Sequence, residues 1–460
     1  MFLLRISPIF APLLLSACSS VAAPDAAVLL QTPAQFAAAP DASAPAVSDW
    51  VASFDDPVLM ALVDEALDAN PTVASALAAY EAARAGARSA GAARLPSLDA
   101  SAGYRDQNPG ATGWSSGVDA SWQADVWGRL SDQARAGALT AEAAQADWYG
   151  ARLSIAAAAA RNWYALTAAK QQADLARADV DTRTRQLEIV DRRFRRGVAR
   201  SSDVRTARSA LASAQATLAA RLRAEEAAAR VLETTLGRYP SASIARADAL
   251  PELAALPDPG GPEALLARRP DIAAAEARLA AAGYSADAAR KALYPGLTLR
   301  ASLSDAAADL EDALDLDNLV REVIGSISAP VFQGGRLRAE RDRAAAQAEQ
   351  LAATLVNTAL TALREAENAI DADQRLAERV AALEVAADEA AEALALVERQ
   401  YGSGLATIFE LIDAQTRVTS AQSQLISARS ERVDNRIALH LAIAGDFAVG
   451  GGIAASDIGI

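Results

Sequence analysis

The chain has 460 residues, a hydrophobic fraction of 52% and a formal net charge of −14. A chain of this length can bury one or more sizeable cores, and its acidic balance argues against a nucleic-acid partner, which would need a basic face. Its single cysteine, Cys18, excludes an internal disulfide, and its single histidine, His440, excludes two-histidine metal motifs. We therefore expect neither an enzyme nor a metal site. The sequence of the mature protein has no apolar run of about 18 residues, which argues against a transmembrane helix.

The N-terminus has the pattern of a secretory signal over residues 1–17, with Arg5, an apolar stretch and then small residues. It ends in Leu15-Ser16-Ala17-Cys18, a sequence similar to the bacterial lipobox, so we expect cleavage before Cys18 and covalent lipidation there. Acyl chains would tether the N-terminus to a membrane, since each buried CH₂ contributes about 0.8 kcal/mol. Ser19 after the cysteine, as in lipoproteins of this kind, suggests sorting to the outer membrane. The alternative is an ordinary signal peptide that happens to contain a cysteine. Residues 18–50, rich in Ala, Pro, Ser and Asp, are expected to be the lipidated N-terminus and an extended linker.

A first repeat is expected over residues 51–240. After two helices, residues 96–126 alternate between apolar and polar side chains, and Trp122, Ala124 and Val126 continue one apolar face. Two such strands of about ten residues are typical of a membrane β-barrel, although a hairpin half-buried on a soluble core has the same pattern.

The first repeat then continues as a helical hairpin with its tip near Gly197. One helix is predicted from about Arg129 to Arg195, where it would be about 100 Å long, and a second from about Ser202 to Thr235. Apolar residues on the second helix recur every seven positions, which is the period of a coiled-coil seam.

A proline-rich connection over residues 241–262 leads to a second repeat over residues 263–447, which has strands within 296–331 and a second hairpin tip near Gly404. We expect the fourth strand to extend to Val331. The two tips correspond 207 residues apart. The Gly-rich residues 448–460 are predicted to be a flexible tail.

These elements predict an α+β membrane protein of two tandem structural repeats, with four transmembrane β-strands and long coiled-coil helices in each protomer. Four membrane strands cannot close a barrel, and an open strand edge does not survive in lipid. The chain is therefore expected to associate with copies of itself, most simply in a closed ring. A ring would form a short barrel continued by a long helical tube, which is the geometry of a conduit.

Several segments together resemble the TolC-type outer-membrane factors, specifically the OprM/NodT-like lipoproteins of tripartite efflux systems. They are the lipobox at Cys18, Ser121-Trp122 with Gly128-Arg129-Leu130, Arg268-Arg269-Pro270-Asp271 with Tyr294-Pro295, Pro330 to Arg336, and Tyr401 to Asp413. The resemblance covers about Trp50 to Phe447 and is repeated in order in both halves of the chain.

The resemblance implies a homotrimer with a 12-stranded β-barrel and a 12-helix periplasmic α-barrel. Its partners would be a periplasmic adaptor (membrane fusion) protein and an inner-membrane transporter of the RND type. The chain would be lipid-anchored in the outer membrane, would extend into the periplasm and would export small molecules. Two alternatives stay open, namely the exit duct of a type I protein-secretion system and a periplasmic coiled-coil scaffold.

The resemblance also implies a periplasmic gate. Glu410 and Asp413 match the acidic residues that ring the constriction, so a trimer would gather six carboxylates there, with raised pKa values or bound cations. Tyr401 and Asp203 match residues that latch the closed state. Relatives have an arginine where this chain has Ala406, so that latch must be absent or replaced, for example by Arg200 or Arg205. The alternative for Glu410 and Asp413 is a solvated helix face.

The tips themselves would contact the adaptor. Gly197, Val198, Gly404 and Leu405 are the predicted contact residues, because glycine permits a close approach of another backbone. The alternative is that both glycines are plain helix caps.

Overall fold

The structure is a computed structural model that describes residues 33–38, 50–106, 112–256, 258–309, 311, 315 and 320–443. The predicted signal peptide, Cys18, most of the linker and the C-terminal tail lie outside the described residues. The lipidation site therefore remains an expectation from the sequence.

Eight helices and four strands make up the described regular structure, apart from a 3-10 turn at Ala52–Phe54. In chain order they are α1 (Pro57–Ala69), α2 (Pro71–Ala92), β1 (Ser97–Arg105), β2 (Gly113–Ala124), α3 (Arg129–Arg195), α4 (Ser201–Thr235), α5 (Pro262–Arg268), α6 (Pro270–Lys291), β3 (Gly296–Ala307), β4 (Val320–Ser328), α7 (Arg336–Ser403) and α8 (Ile408–Ala442).

The helix lengths repeat between the two halves of the chain. α2 and α6 have 22 residues each, α3 and α7 have 67 and 68, and α4 and α8 have 35 each. At about 1.5 Å per residue, α3 and α7 are each about 100 Å long. Within the described residues, no helix combines the length and apolar character needed to cross a membrane.

The four strands form one antiparallel sheet in the order β1-β2-β3-β4. Leu98 lies opposite Ala120, Trp114 opposite Ala307, and each neighbouring pair is joined along its length. Strands β1 and β4 are the two edges, and every residue of both is exposed. The sheet of a single chain is therefore open at both sides.

Two predicted strand ends are wrong, for local reasons. β2 ends at Ala124 rather than Val126, because the carboxylate of Asp125 accepts hydrogen bonds of 2.8 Å from the N–H groups of Leu130 and Ser131 and so begins α3.

β4 ends at Ser328 rather than Val331. The intervening Pro330 has no N–H to contribute to a ladder, which explains why the pairing does not continue. The alternation of apolar and polar residues continues beyond Ser328, but the hydrogen bonds between β3 and β4 end there.

The core lies midway along the long helices and consists of two clusters, together called the central core below. One joins α1, the middle of α3 and the ends of α4 and α8, with Leu59, Leu166, Leu232 and Ile437 all 0% exposed. The other joins α5, α6, α7 and the end of α8 and includes Ile272, Leu355, Ile370 and Leu439. The short helices thus pack around the middle of the long helices.

Part of the predicted N-terminal linker belongs to this core. Phe36 is 4% exposed in the second cluster, and the N–H groups of Ala37 and Ala38 each donate to the carboxylate of Glu367 at 2.9 Å. Trp50 is 1% exposed and stacks on His440 with ring centroids 5.8 Å apart. The expectation of an extended linker fails at these two points, because apolar side chains bind the segment to the helices.

Candidate functional site at the hairpin tips

The two hairpin turns lie at the ends of α3 and α7 that are far from the sheet. Gly197 has φ +73° and Gly404 has φ +82°, the left-handed conformation that commonly follows the last turn of a helix. A Cβ at either position would meet no atom within 4 Å, so backbone conformation rather than space requires glycine there.

Just above the turns, the two hairpins pack against each other within one chain. Val190, Val204, Ala207 and Ile408 form a small buried cluster, with Leu187, Tyr401 and Ile412 around it. Residues that are more than 200 positions apart in the sequence are therefore brought together.

Asp203 and Glu410 occupy the same position in the two hairpins, where each carboxylate closes the first turn of a helix. An oxygen of Asp203 accepts from the N–H of Arg200 at 2.9 Å, and an oxygen of Glu410 accepts from the N–H of Thr407 at 2.5 Å. Thr407 completes the second capping box, since its hydroxyl accepts from the N–H of Glu410 at 3.3 Å. Helix capping therefore explains why both positions are acidic.

The same hydrogen bonds set the titration of Glu410. Donation from the N–H and the hydroxyl of Thr407 lowers the pKa of Glu410 below its ordinary value of 4.5. The direction in one chain is opposite to that expected for a ring of carboxylates. A trimer would have to overcome these hydrogen bonds before the pKa of Glu410 could rise.

Asp413 follows one turn later and is the freer of the two predicted gate carboxylates. Its carboxylate pairs with Arg417 at 2.6 Å, and the two side chains are 59% and 75% exposed. An exposed pair of this kind contributes about 0.3–0.5 kcal/mol, so Asp413 remains available for other partners.

Arg193 joins the two tips and was missed by the sequence analysis. Its guanidinium donates to the carbonyl oxygens of Tyr401 and Gly402 at 3.1 and 3.0 Å, and its central carbon lies 4.6 Å from the ring centroid of Tyr401. A cation at the last carbonyls of α7 is favourable both to the helix dipole and to the aromatic face. Within one chain, Tyr401 therefore contacts Arg193, and the latch role of Tyr401 and Asp203 stays a prediction.

Neither replacement considered for the missing latch arginine is observed. In the tip region, which the structure describes in full, the side chains of Arg200 and Arg205 make no ion pair with Asp203 within 4.0 Å. Arg193 could have been found only from the charge difference between the tips, because its counterpart in the repeat is Gln400.

The predicted adaptor-contact residues project from the ends of the hairpins. Val198 is 76% exposed and Leu405 is 83% exposed. Large apolar side chains this exposed, at equivalent positions in both hairpins, favour a surface that another protein covers. The described residues contain no group of three or more His, Cys, Asp or Glu side chains that could hold a metal ion.

Comparisons with known proteins agree with the fold and with the duplication. The family model of the outer membrane efflux proteins matches residues 62–238 and 261–445, two segments that overlap the two predicted repeats. The pyoverdine export outer membrane protein OpmQ of Pseudomonas aeruginosa is 30% identical over 96% of both chains. The probable outer membrane lipoprotein SilC of Salmonella typhimurium is 24% identical over 96% of this chain and 98% of its own. Among solved structures, the outer-membrane channel OprN is 28% identical, with a TM-score of 0.82 over 90% of this chain and 97% of that chain.

The chain belongs to the outer membrane efflux protein family. It is an outer-membrane protein of TolC-like fold, and its function is that of the outer-membrane channel component of an efflux system. The family is a transport family rather than an enzyme family.

Proposed function

We propose that three copies of the chain form one continuous conduit across the outer membrane and into the periplasm. The observation that carries this proposal is the open four-stranded sheet, in which each edge strand has one unpaired side and from which the long helices extend about 100 Å. An unpaired edge in lipid costs several kcal/mol for each unsatisfied backbone group. Pairing of β4 of one copy with β1 of the next would satisfy both edges.

The number of copies follows from the family resemblance. Three copies give a 12-stranded β-barrel and a 12-helix periplasmic α-barrel, since each chain has four strands and the four long helices α3, α4, α7 and α8. The partners would be a periplasmic adaptor at the tips and an inner-membrane RND-type transporter, with lipid on Cys18 as a further anchor. The export of a small molecule by the OpmQ relative supports a small-molecule cargo.

The link made by Arg193 supports a closed, gated tip. Arg193 holds the end of α7 against α3, and its loss would remove two hydrogen bonds and the contact with the Tyr401 ring. Outward movement of one hairpin relative to the other would have to break these contacts first. Asp413 would provide the acidic ring of the constriction, while Glu410 maintains the start of α8.

Conductance in planar bilayers tests both the conduit and the gate. We expect the full-length chain to form pores with a small conductance, and Arg193→Ala to increase the conductance. A loss of about 1 kcal/mol in closing free energy would raise the ratio of open to closed tips about fivefold. Asp413→Asn should reduce cation selectivity without changing the capping box that Thr407 and Glu410 form at the start of α8.

The neighbouring Arg192→Ala is the matched control. Arg192 makes only an exposed contact of 4.0 Å with Glu188, so its removal should leave the conductance unchanged. Pores that Arg193→Ala does not alter would retain the conduit and reject the latch. The absence of pores in any variant would reject the conduit.

A further inference from the structure

The two tips are equivalent in backbone but differ in charge. The first tip, defined as Arg192–Arg200, contains five arginines and no acidic residue. The second tip, defined as Arg399–Thr407, contains one arginine and no acidic residue. The net charge of the whole chain is −14, so the five arginines are concentrated against the overall balance.

The protein itself uses only part of this positive charge. Arg193 is bound to α7, Arg195 pairs with Asp191, and Arg192 is 4.0 Å from Glu188. Arg196 and Arg200 are exposed, and in the described part of the chain neither side chain has a carboxylate within 4.0 Å. Like charges held this close repel one another, so an external group with negative charge would relieve an existing cost.

A neighbouring copy of the chain is a poor source of that negative charge. A second tip placed beside the first would present uncharged residues from Gln400 to Phe409. Of the carboxylates that flank this run, Glu410 is bound to Thr407, and Glu398 lies further back along α7. The membrane that holds the sheet is also distant, since α3 places the tip about 100 Å from the strands. The remaining source is a molecule that meets the hairpins end-on.

The chemistry next to the free arginines identifies the kind of molecule. Val198 lies between Arg196 and Arg200 and is 76% exposed, and Phe194 is 43% exposed. Apolar side chains bordered by cations match a protein surface in which an apolar residue is flanked by carboxylates. The second tip exposes Leu405 in the same way, but its own residues from Gln400 to Phe409 carry no charge.

We propose that the first tip is a selective docking surface for a partner protein that presents carboxylate side chains beside an apolar residue, and that the second tip binds the partner through apolar contact alone. This inference rests on the proposed function, in which an adaptor docks at the tips, and adds the charge that the adaptor must carry. The two tips of one chain are therefore unequal binding sites despite their common backbone.

Two synthetic helical-hairpin peptides with the same apolar loop test the proposal, one with glutamates flanking the loop and one with glutamines. Their binding to the purified full-length chain is measured by fluorescence anisotropy at low and high salt. We expect the glutamate hairpin to bind about five- to tenfold more tightly, since each exposed ion pair contributes a few-fold in affinity. The preference should decrease as salt is raised.

The repeat provides the matched variants. Arg196→Ser and Arg200→Thr copy Ser403 and Thr407 of the second tip, and threonine is a good N-cap, so the variant should fold. It should lose the preference for glutamate. Arg205→Ile and Arg208→Gln copy Ile412 and Gln415 on the side of α4, and this control should retain the preference.

Equal binding of the two peptides to the unaltered chain, or no binding of either, would overturn the proposal. Loss of the preference in the α4 control would also overturn it, as would dissociation of the trimer in the tip variant, because the arginines would then serve a neighbouring copy. Conductance recorded on the same preparations keeps this outcome separate from failure of the conduit itself.

Discussion

The central core and the two ends of the molecule differ in how far a single chain buries its apolar side chains and pairs its polar groups. In the core, the buried Arg436 donates to both carboxylate oxygens of Asp373 at 2.9–3.1 Å and to the carbonyl of Ala254 at 2.9 Å. At one end, every residue of β1 and β4 is exposed. At the other, Val198 and Leu405 project into solvent. A single chain therefore buries its central core by itself, whereas both of its ends remain exposed for partners.

Glu233 is a buried charge whose hydrogen bonds are all supplied from within the chain. Its side chain is buried, and it accepts hydrogen bonds of 2.7–3.0 Å from the N–H groups of Ala242, Ser243 and Ile244. Burial alone would raise the pKa of Glu233, but these N–H groups and the hydroxyl of Ser241 lower it below the ordinary 4.5. A buried charge with this many donors holds the connection after α4 in one conformation.

The largest effect on folding is expected at Asp373. Asp373→Ala would leave the guanidinium of Arg436, 5% exposed, without its carboxylate, and should cost about 3–5 kcal/mol. Urea unfolding followed by circular dichroism measures the change. Asp371→Ala on the same helix is the control, because its contact with Arg375 is 3.9 Å long and exposed, and should cost less than about 0.5 kcal/mol. Equal effects of the two variants would contradict a self-sufficient core.

The next effect is a pH dependence from His440. Burial, and secondly the charge of Arg436, lower the pKa of His440 from 6.5 to about 4. The unfolded chain therefore binds a proton that the folded chain does not, so stability should be lost as the pH falls from about 6.5 to about 4. The loss should approach about 3 kcal/mol.

His440→Phe isolates this contribution, because phenylalanine can keep the contact with Trp50 but cannot bind a proton. We expect the difference in unfolding midpoint between this variant and the original chain to change between pH 7 and pH 4.5. A difference that is constant with pH would mean that folding does not lower the pKa of His440.

The smallest effect on folding is expected at the edge of the sheet. Ile327 in β4 is 78% exposed, so Ile327→Asp should change the unfolding free energy of the helices by less than about 0.5 kcal/mol. The same variant should reduce membrane insertion, because a charge on a lipid-facing strand is costly. Ile370→Asp, at a core position that is 2% exposed, should instead unfold the helices. Flotation with vesicles and circular dichroism measure the two properties separately.

Much of the fold could be predicted from the sequence because its signals are local. The long helices were predicted to within a few residues, since proline is absent from them and glycine marks their tips. The repeat was visible in matching residues such as Asp203 and Glu410. The strand ends were less accurate, because apolar alternation continues past Asp125 and Ser328 while hydrogen bonding does not.

The candidate site was predicted in position but not in detail. The sequence indicated that the two tips, Tyr401 and the acidic residues matter. The bond between Glu410 and Thr407 was not predicted, although a threonine three residues before a glutamate is the spacing of a capping box.

By itself, the sequence determined the two repeats, the helix and strand periods, the tips and the charge difference between them. The periods and tips follow from neighbours within a few residues, and the repeats follow from comparing the two halves of the sequence. The tertiary structure alone decided that Arg193 binds the end of α7, that Phe36 and Trp50 enter the core, and that Arg436 pairs with Asp373. Those contacts join residues from 63 to more than 300 positions apart, and only the packing of the long helices brings them together.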